Sequence, residues 1–366
     1  MTKLWWAQIK SVVRLEMRKT FFARRGLWIY ILALLPLLLL IAHAVIVSHQ
    51  RERTIHIAHQ SEKTLTYQDL LAVNPGMTGE EVVKLLGRPP VRFHWNQRSV
   101  TGPGTFVDSA HESYHYSDGV NELFVELSDG KVITVHTHEG YNLSEDSIVF
   151  AGVFQFFYIR LAIFFGCLGI FMNLFRGEIL DKSLHFYFLA PIRREVLMVG
   201  KFLAGSLATC IIFVTSELFQ IIVFTWQFSP SARDLYLYQN HGLAQATAYL
   251  GVTALACLGY GAFFLAAGML FRNPILPAAT ILVWEAVNPF LPPLLKKFSV
   301  IYYLKSLCPV EIPSPPGTPP LMSLLVSNPD PVSAPVAILG IVIVALLVLY
   351  VSSLQARRME INYTTE

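Results

Sequence analysis

Six long apolar segments dominate the pattern of hydrophobic and polar positions along the chain. They lie at 27–47, 148–175, 196–226, 243–271, 275–291 and 331–354. A hydrocarbon core of about 30 Å requires about 20 apolar residues in a helix. The segments lack the alternation of apolar and polar residues that a barrel strand would have. Because a helix satisfies its own backbone hydrogen bonds within lipid, the pattern predicts six transmembrane helices.

The chain between the first two apolar segments, residues 48–146, is mixed polar and long enough for a small folded domain. Thr78 and Glu81 have the spacing of a capping box, which predicts the start of a helix. Asp-Gly pairs farther on are typical of hairpin turns. The predicted elements are helices at 66–72 and 79–86, then antiparallel strands at 112–116, 122–127 and 132–137. The segment therefore predicts an inserted α+β domain with the order ααβββ.

Lysine and arginine are distributed unevenly around these segments. With the N-terminus inside, fifteen basic residues lie on the cytoplasmic side and four lie in the short outer loops. Positive residues favour the cytoplasmic side of a membrane. We therefore expect both termini, including the tail at 355–366, to be cytoplasmic, and residues 48–146 to be periplasmic or otherwise extracytoplasmic. The expected location is the cytoplasmic, or inner, membrane of a bacterium.

Two further stretches have the composition of membrane-surface segments. Residues 1–26 space Trp5, Ile9 and Val12 between basic residues, which predicts an amphipathic helix along the inner membrane face. The alternative is a cytoplasmic helix end whose charges only retain it. The prolines that follow the fifth apolar segment predict a break, and 292–330 is expected to form an outer interfacial helix and a Pro-rich loop.

Composition narrows the class of protein. Hydrophobic residues make up 54% of the chain and charged residues 14%, which is the balance of an integral membrane protein. The four cysteines form no disulfide framework. The chain also lacks the G-x-x-x-x-G-K-[ST] spacing that cradles nucleotide phosphates. We therefore expect no ATPase site and no cofactor on this chain, and no nucleic-acid partner.

The connector between the second and third apolar segments, residues 176–195, is charged, amphipathic and aromatic. These features exceed what a turn requires and predict a surface for a soluble cytoplasmic partner. Aromatic anchors dominate interface energetics. The alternative is a solvated loop whose charges only retain it. The aromatic residues of the connector are Phe186, Tyr187 and Phe188.

The membrane part resembles the permease subunit of an ABC exporter of the ABC-2 type. The likeness rests on RGEILDKSLHFYFLAPIRREVLMVGKFLAG, FRNP, LPPLLKKFSVIYYLKSLCP and ARRMEINYTTE. The resemblance implies that the connector is a coupling helix, which rests in a groove of a separate ATP-hydrolysing subunit. The contacts that it implies are the polar residues Glu178, Asp181, His185, Arg193, Arg194 and Glu195, with Phe186, Tyr187 and Phe188 as apolar anchors. ATP and Mg²⁺ would then bind to that partner. It also implies pairing with a second permease copy, as a homodimer, or with a paralogue.

The inserted domain resembles the SmpA/OmlA, or BamE-like, envelope lipoprotein domain. The likeness covers residues 66–137 and rests on NPGMTGEEVVKLLGRPP followed by YHYSDGVNELFVELSDGKVITV. The lipoprotein cysteine of that family is missing, so the flanking membrane helices would hold the domain instead. The resemblance implies a binding and scaffolding module, with an extracytoplasmic envelope protein as its partner.

Polar residues within the apolar segments are candidates for a substrate path, because such residues are tolerated only where they face protein or water. They are Arg160, Glu217, Gln220, Glu285 and Asn288. Their alternative role is structural, with Arg160 neutralising one of the glutamates. Histidines are abundant at 48–146, and His111 and His115 would share one sheet face. Exposed sheet faces often carry such residues without metal, and we expect no metal site.

These observations leave two functions open. The first is export of an amphipathic or lipid-linked substrate, driven by a separate ATPase, with membrane lipid around the chain. The second is mechanotransmission, in which ATP hydrolysis inside moves the outer domain to regulate an envelope partner and nothing is transported. A metalloenzyme built on the outer histidines is the least favoured reading, because no carboxylate and histidine set has recognisable catalytic spacing.

Overall fold

Two compact units make up the chain. The computed structural model describes residues 2–22, 26–102, 105–138, 143–180, 193–271, 275–312 and 332–358. The helical unit comprises Met1–Ile41 and Ser147–Glu366, and the α+β unit comprises Ala42–Asp146.

Most elements are helices, and the four strands follow one another in a single block between α4 and α5. The helices are α1 (Thr2–Phe22), α2 (Leu27–Gln60), α3 (Tyr67–Leu71), α4 (Gly79–Leu86), α5 (Leu143–Gly152), α6 (Phe164–Leu180), α7 (Arg194–Trp226), α8 (Pro230–Asp234), α9 (Gly242–Leu270), α10 (Ile275–Val287), α11 (Pro293–Lys296), α12 (Val300–Leu307) and α13 (Ala334–Arg358). The strands are β1 (Val91–Gly102), β2 (Thr105–Ser117), β3 (Glu122–Ser128) and β4 (Lys131–His138). Two π-helical segments, Val153–Ile163 and Leu235–Gln239, and a 3₁₀ turn at Asn288–Phe290 complete the set.

Five helices within the described residues are long and apolar enough to cross a membrane. They are Leu27–Gln60, Asp146–Phe175, Arg194–Trp226, Gly242–Leu270 and Ala334–Gln355. The second runs continuously through α5, a π-helical segment and α6. The prediction of a polytopic helical membrane protein with a small antiparallel sheet is confirmed at this level.

The predicted helix at 275–291 is shorter than a membrane span. Its helical part, α10, has 13 residues, which corresponds to about 20 Å at 1.5 Å per residue. The chain then turns through Asn288–Phe290 and enters α11 behind Pro292. Proline removes a backbone donor and clashes with the preceding turn, so these residues end the helix early. A sixth spanning helix is therefore not confirmed.

The segment after α10 also differs from the predicted interfacial helix. Residues 300–304 of α12 are buried, with Leu304 fully so. Val300 packs on Gly259 of α9, and Tyr303 packs on Gly340 of α13, where an added Cβ would lie 2.8 Å and 2.3 Å from the nearest side-chain atoms. The helix α12 is thus packed between α9 and α13. An amphipathic sequence can bury its apolar face on neighbouring helices as well as on lipid, and periodicity alone does not distinguish the two.

Glycines allow the helices of this unit to approach closely. The ring of Phe171, on α6, lies between Gly205 of α7 and Gly261 of α9, where an added Cβ would come within 2.6 Å and 2.4 Å of it. Small residues at such contacts let membrane helices pack closely when there is no hydrophobic driving force. These contacts join α6, α7 and α9 into one core.

The α+β unit contains a four-stranded antiparallel sheet in the order β1-β2-β3-β4. The sequence predicted three strands and missed β1, which pairs with β2 from Val91 to Gly102. Several side chains of this edge strand are exposed, including Phe93 and Trp95. Its pattern lacks the buried alternation that marks β3, where Leu123, Val125 and Leu127 point inward.

The capping box and the Asp-Gly hairpin turn predicted in the α+β unit are both present. The Thr78 side chain accepts a hydrogen bond from the Glu81 amide, and the Thr78 amide donates to the Glu81 carboxylate at 2.8 Å. Asp129 and Gly130 have positive φ angles of 50° and 78°. That geometry is the two-residue hairpin turn that an Asp-Gly pair favours. Helices α3 and α4 and the sheet enclose a core that includes Leu70, Leu86 and Leu123.

Candidate functional site

The base of the connector is held by a buried ion pair. Lys201 is 0% exposed and Glu16 is 3% exposed, and the Lys201 ammonium donates to the Glu16 carboxylate at 2.8 Å. The same ammonium donates to the Leu174 carbonyl at 2.6 Å and lies 5.2 Å from the centre of the Phe175 ring. One lysine therefore joins α1, the end of α6 and the first turns of α7.

The first helix lies along the start of α7, and further contacts extend this junction. The Arg193 guanidinium lies 5.1 Å from the Trp5 ring centre. A Cβ on Gly200 would come within 2.9 Å of Val12, so the two helices touch there. Glu16 is the one acidic residue of α1, and its carboxylate is buried toward α7. The face of α1 that was expected to meet lipid thus packs on protein at Val12.

The connector itself lies mostly outside the described residues. This applies to Asp181, His185, Phe186, Tyr187 and Phe188. Glu178 lies on α6, close to its last residue, and Arg193 precedes α7. Arg194 and Glu195 form the first turn of α7, where a carboxylate is favourable to the helix dipole. The described part of the predicted docking site is therefore its two flanking helix ends.

Of the predicted path residues, Arg160 and Glu285 are brought together. Both line one cavity of about 50 Å³, with Tyr260 and Ile301 among the other walls. Arg160 belongs to the π-helical segment between α5 and α6. Such wide turns are rare and frequently occur at functional sites.

The Glu285 carboxylate caps another helix. It accepts hydrogen bonds from the Ser299 hydroxyl at 2.8 Å, the Val300 amide at 3.0 Å and the Ile301 amide at 2.8 Å. These amides belong to the unsatisfied first turn of α12, which a carboxylate on a different helix now satisfies. Asn288 has a related role, since its side-chain amide donates to the carbonyl of Lys296, the last residue of α11, at 3.3 Å.

Glu217 and Gln220 form a separate group on α7. The Gln220 amide donates to the Ser216 hydroxyl at 3.3 Å, and that hydroxyl donates to the Ala33 carbonyl of α2. Glu217 is 0% exposed, and neither carboxylate oxygen has a hydrogen-bond partner among the described residues. A buried polar group without a partner is costly, which makes this carboxylate a candidate for function rather than for stability.

The α+β unit has its own cluster of charged and aromatic side chains on β1 and β2. Glu112 accepts hydrogen bonds from Arg92 at 2.7 Å and Tyr114 at 2.8 Å, and lies 3.3 Å from His94. Burial alone would raise the pKa of Glu112, but the hydrogen bonds from Tyr114 and Arg92 lower it below its ordinary value. These partly exposed contacts to Glu112 link β1 to β2 and support their pairing.

The opposite sheet face carries aromatic and histidine side chains. His115 lies between Phe93 and Phe124, at 5.9 Å and 3.8 Å between ring centres, and Trp95 stacks on His111 at 5.6 Å. Burial lowers the pKa of His115. Among the described residues, no three His, Cys, Asp or Glu side chains gather closely enough to hold a metal ion. The arrangement is suited to apolar contact.

Sequence reasoning did not identify Lys201 and Glu16 as a pair. The signals were a lysine six residues inside an apolar segment and a lone acid in a basic helix. Each signal is weak alone, and nothing in the spacing of two residues 185 positions apart shows that they meet.

Comparison with known proteins adds no relative. No protein-family model, no curated protein and no solved structure matches this chain.

Proposed function

We propose that this chain is the transmembrane permease subunit of an ABC exporter in a bacterial inner membrane. A separate nucleotide-binding subunit would bind ATP and Mg²⁺, and this chain would have no ATPase site of its own. The exported substrate would be amphipathic or lipid-linked. A second copy of the chain, or a paralogue, would complete the membrane part, and both termini would be cytoplasmic.

The junction of α1, α6 and α7 is the observation that carries this proposal. The residues that join α6 to α7 form the charged and aromatic connector, and Lys201 ties the helix ends on both sides of it to α1. A force applied to the connector would therefore act on three helices together. A solvated loop with no partner requires no buried ion pair at its base, whose charges are expensive to desolvate.

Mechanotransmission is the second candidate, and α2 favours it. This helix runs without a break for 34 residues, and its first part belongs to the helical unit while its second part belongs to the α+β unit. Within the α+β unit the Thr54 hydroxyl of α2 donates to the Glu122 carboxylate of β3. A continuous helix anchored at the sheet is suited to passing movement to an envelope partner.

The decisive experiment tests whether the connector binds an ATPase. The full chain is purified from its native membrane with and without the double change Phe186→Ala and Phe188→Ala, and bound P-loop ATPase is measured by nucleotide hydrolysis and peptide identification. Loss of the anchors should remove most of the ATPase, because buried aromatic anchors often contribute about 2 kcal/mol or more. The control is Phe298→Ala, an exposed phenylalanine outside the connector. Equal ATPase recovery from all three proteins would contradict the proposal.

Glu217→Gln separates the two candidates once the ATPase is identified. In proteoliposomes that contain the complex, an exporter should lose or change substrate efflux, while ATP hydrolysis continues. A mechanotransmission complex has no efflux to lose. Export is contradicted if efflux is undetectable in the unaltered complex while hydrolysis drives a change in the α+β unit.

A further inference from the structure

An apolar cleft in the helical unit has the properties of a ligand site. Its volume is about 510 Å³, within the range of about 300–1,000 Å³ that is typical of small-molecule sites. The walls come from α9, α10, α12 and α13, and include Phe263, Trp284 and Leu347. Both α9 and α13 are long and apolar enough to span a membrane, and a cleft between two such helices is accessible to lipid when they do.

The two charged side chains that line the cleft differ in how available they are to a ligand. Glu285 lines it, but its carboxylate already accepts three hydrogen bonds from Ser299 and the start of α12. Lys297 also lines the cleft and is exposed, on the turn that connects α11 to α12. The site thus combines long apolar walls with one accessible positive charge at a loop.

This combination defines the ligand class. A molecule with a flexible apolar body and an anionic head matches both features, because lysine binds phosphate as a point charge. Lipid carries both parts and surrounds the cleft at high concentration. We propose that the cleft holds one acyl chain of an anionic phospholipid, with its phosphate at Lys297. The site needs no ATPase, so it goes beyond the proposed function and is tested separately from it.

Photocrosslinking tests the site on the full chain. The protein is reconstituted in nanodiscs of phosphatidylcholine with a minor fraction of phosphatidylglycerol that carries a diazirine on its acyl chain, and labelled peptides are mapped. Labelling should concentrate on the cleft residues of α10 and α13. Unlabelled phosphatidylglycerol should compete for it better than unlabelled phosphatidylcholine.

Two neighbouring leucines of α13 provide a matched pair of variants. Leu347 is 52% exposed and lines the cleft, whereas Leu346 is 60% exposed and does not. Leu347→Trp should fill the cleft and reduce its labelling severalfold, and Leu346→Trp should leave it unchanged. Both variants have the same chemistry and similar exposure, so a general folding defect would affect both.

Substitution of Lys297 tests the head group. Lys297→Gln should reduce the preference for phosphatidylglycerol about fivefold, since one lysine near an anionic lipid contributes about 1 kcal/mol. Lys297→Arg should retain it. Uniform labelling of all exposed faces of α13, equal competition by the two lipids, or crosslinks between two copies of the chain at the cleft would each overturn the proposal. None of these outcomes bears on ATPase binding.

Discussion

The exposed cap of α4 in the α+β unit and the buried ion pair of the helical unit satisfy their polar groups differently. The cap joins Thr78 and Glu81, which are three positions apart at the protein surface. The ion pair joins Glu16 and Lys201, which are 185 positions apart and both buried, and Glu285 likewise caps a separate helix, α12. Water can complete the hydrogen bonds of an exposed cap, whereas a group surrounded by helices and lipid has no water nearby, so the loss of its protein partner leaves it unsatisfied. The comparison predicts that a single substitution of a polar group will lower the free energy of unfolding more in the helical unit than in the α+β unit.

Removal of Lys201 should have the largest effect. Lys201→Met leaves Glu16 buried without its cation, and breaking a buried pair in this way costs about 3–5 kcal/mol. The unfolding of the helical unit can be followed by a thiol-reactive dye, because Cys167 and Cys257 are buried there and the α+β unit has no cysteine. We expect labelling at a markedly lower temperature than in the unaltered protein.

A double variant identifies the cause of the stability lost in Lys201→Met. Replacing both partners, Lys201→Met with Glu16→Leu, should recover much of the stability, because two apolar side chains of similar size leave no buried charge. If the double variant is less stable than the single one, the ion pair is not the reason for the effect, and the contrast between the units weakens.

A cap in the α+β unit should matter less. Thr78→Ala removes the side-chain acceptor at the N-terminus of α4, which costs about 1 kcal/mol. Hydrogen exchange of the α4 peptides in the full chain measures the change, and Thr78→Ser should behave like the unaltered protein because it keeps the hydroxyl. The thiol-labelling temperature of the helical unit should not change. A loss as large as that of Lys201→Met would contradict the comparison.

The smallest effect is expected from protonation of His115. Burial lowers the pKa of this imidazole in the folded state, so the folded protein binds its proton less strongly than the unfolded chain does. The stability it contributes is present above the unfolded pKa of about 6.5 and is lost as pH falls through the folded pKa.

Protection factors of the β2 and β3 amides measure this effect in the full chain. They should fall between neutral and mildly acid pH in the unaltered protein and in His136→Gln, which changes an exposed histidine of β4. The fall should be smaller in His115→Gln. Identical pH profiles for His115→Gln and the unaltered protein would show that another group titrates.

Local signals were enough to predict some elements and not others. The capping box predicted α4, and the Asp-Gly pair predicted the β3–β4 turn, because both depend on residues only a few positions apart. The helix over 275–291 was predicted too long, although its prolines were visible, since apolar composition continues past the point where α10 stops. Strand β1 was missed because an edge strand with exposed aromatic residues lacks the buried alternation that identifies β3.

The predicted substrate-path residues also show that local signals do not reveal contacts between distant residues. Their polarity inside apolar segments marked them as exceptional, but the division into two groups depends on which helices are neighbours. Glu285 and Arg160 share a cavity, while Glu217 lies with Gln220 on another helix. Only the fold shows that Glu285 caps α12 and that Glu217 has no hydrogen-bond partner among the described residues.

Hydrophobic length and composition, read from the sequence alone, determined that this is a helical membrane protein with an inserted α+β module, because burial in lipid and in a small core depends on local pattern. The tertiary structure decided which charges meet, that α12 packs among helices, and that a cleft opens beside Lys297. These features depend on contacts between residues distant in the chain, whose energies no local pattern contains.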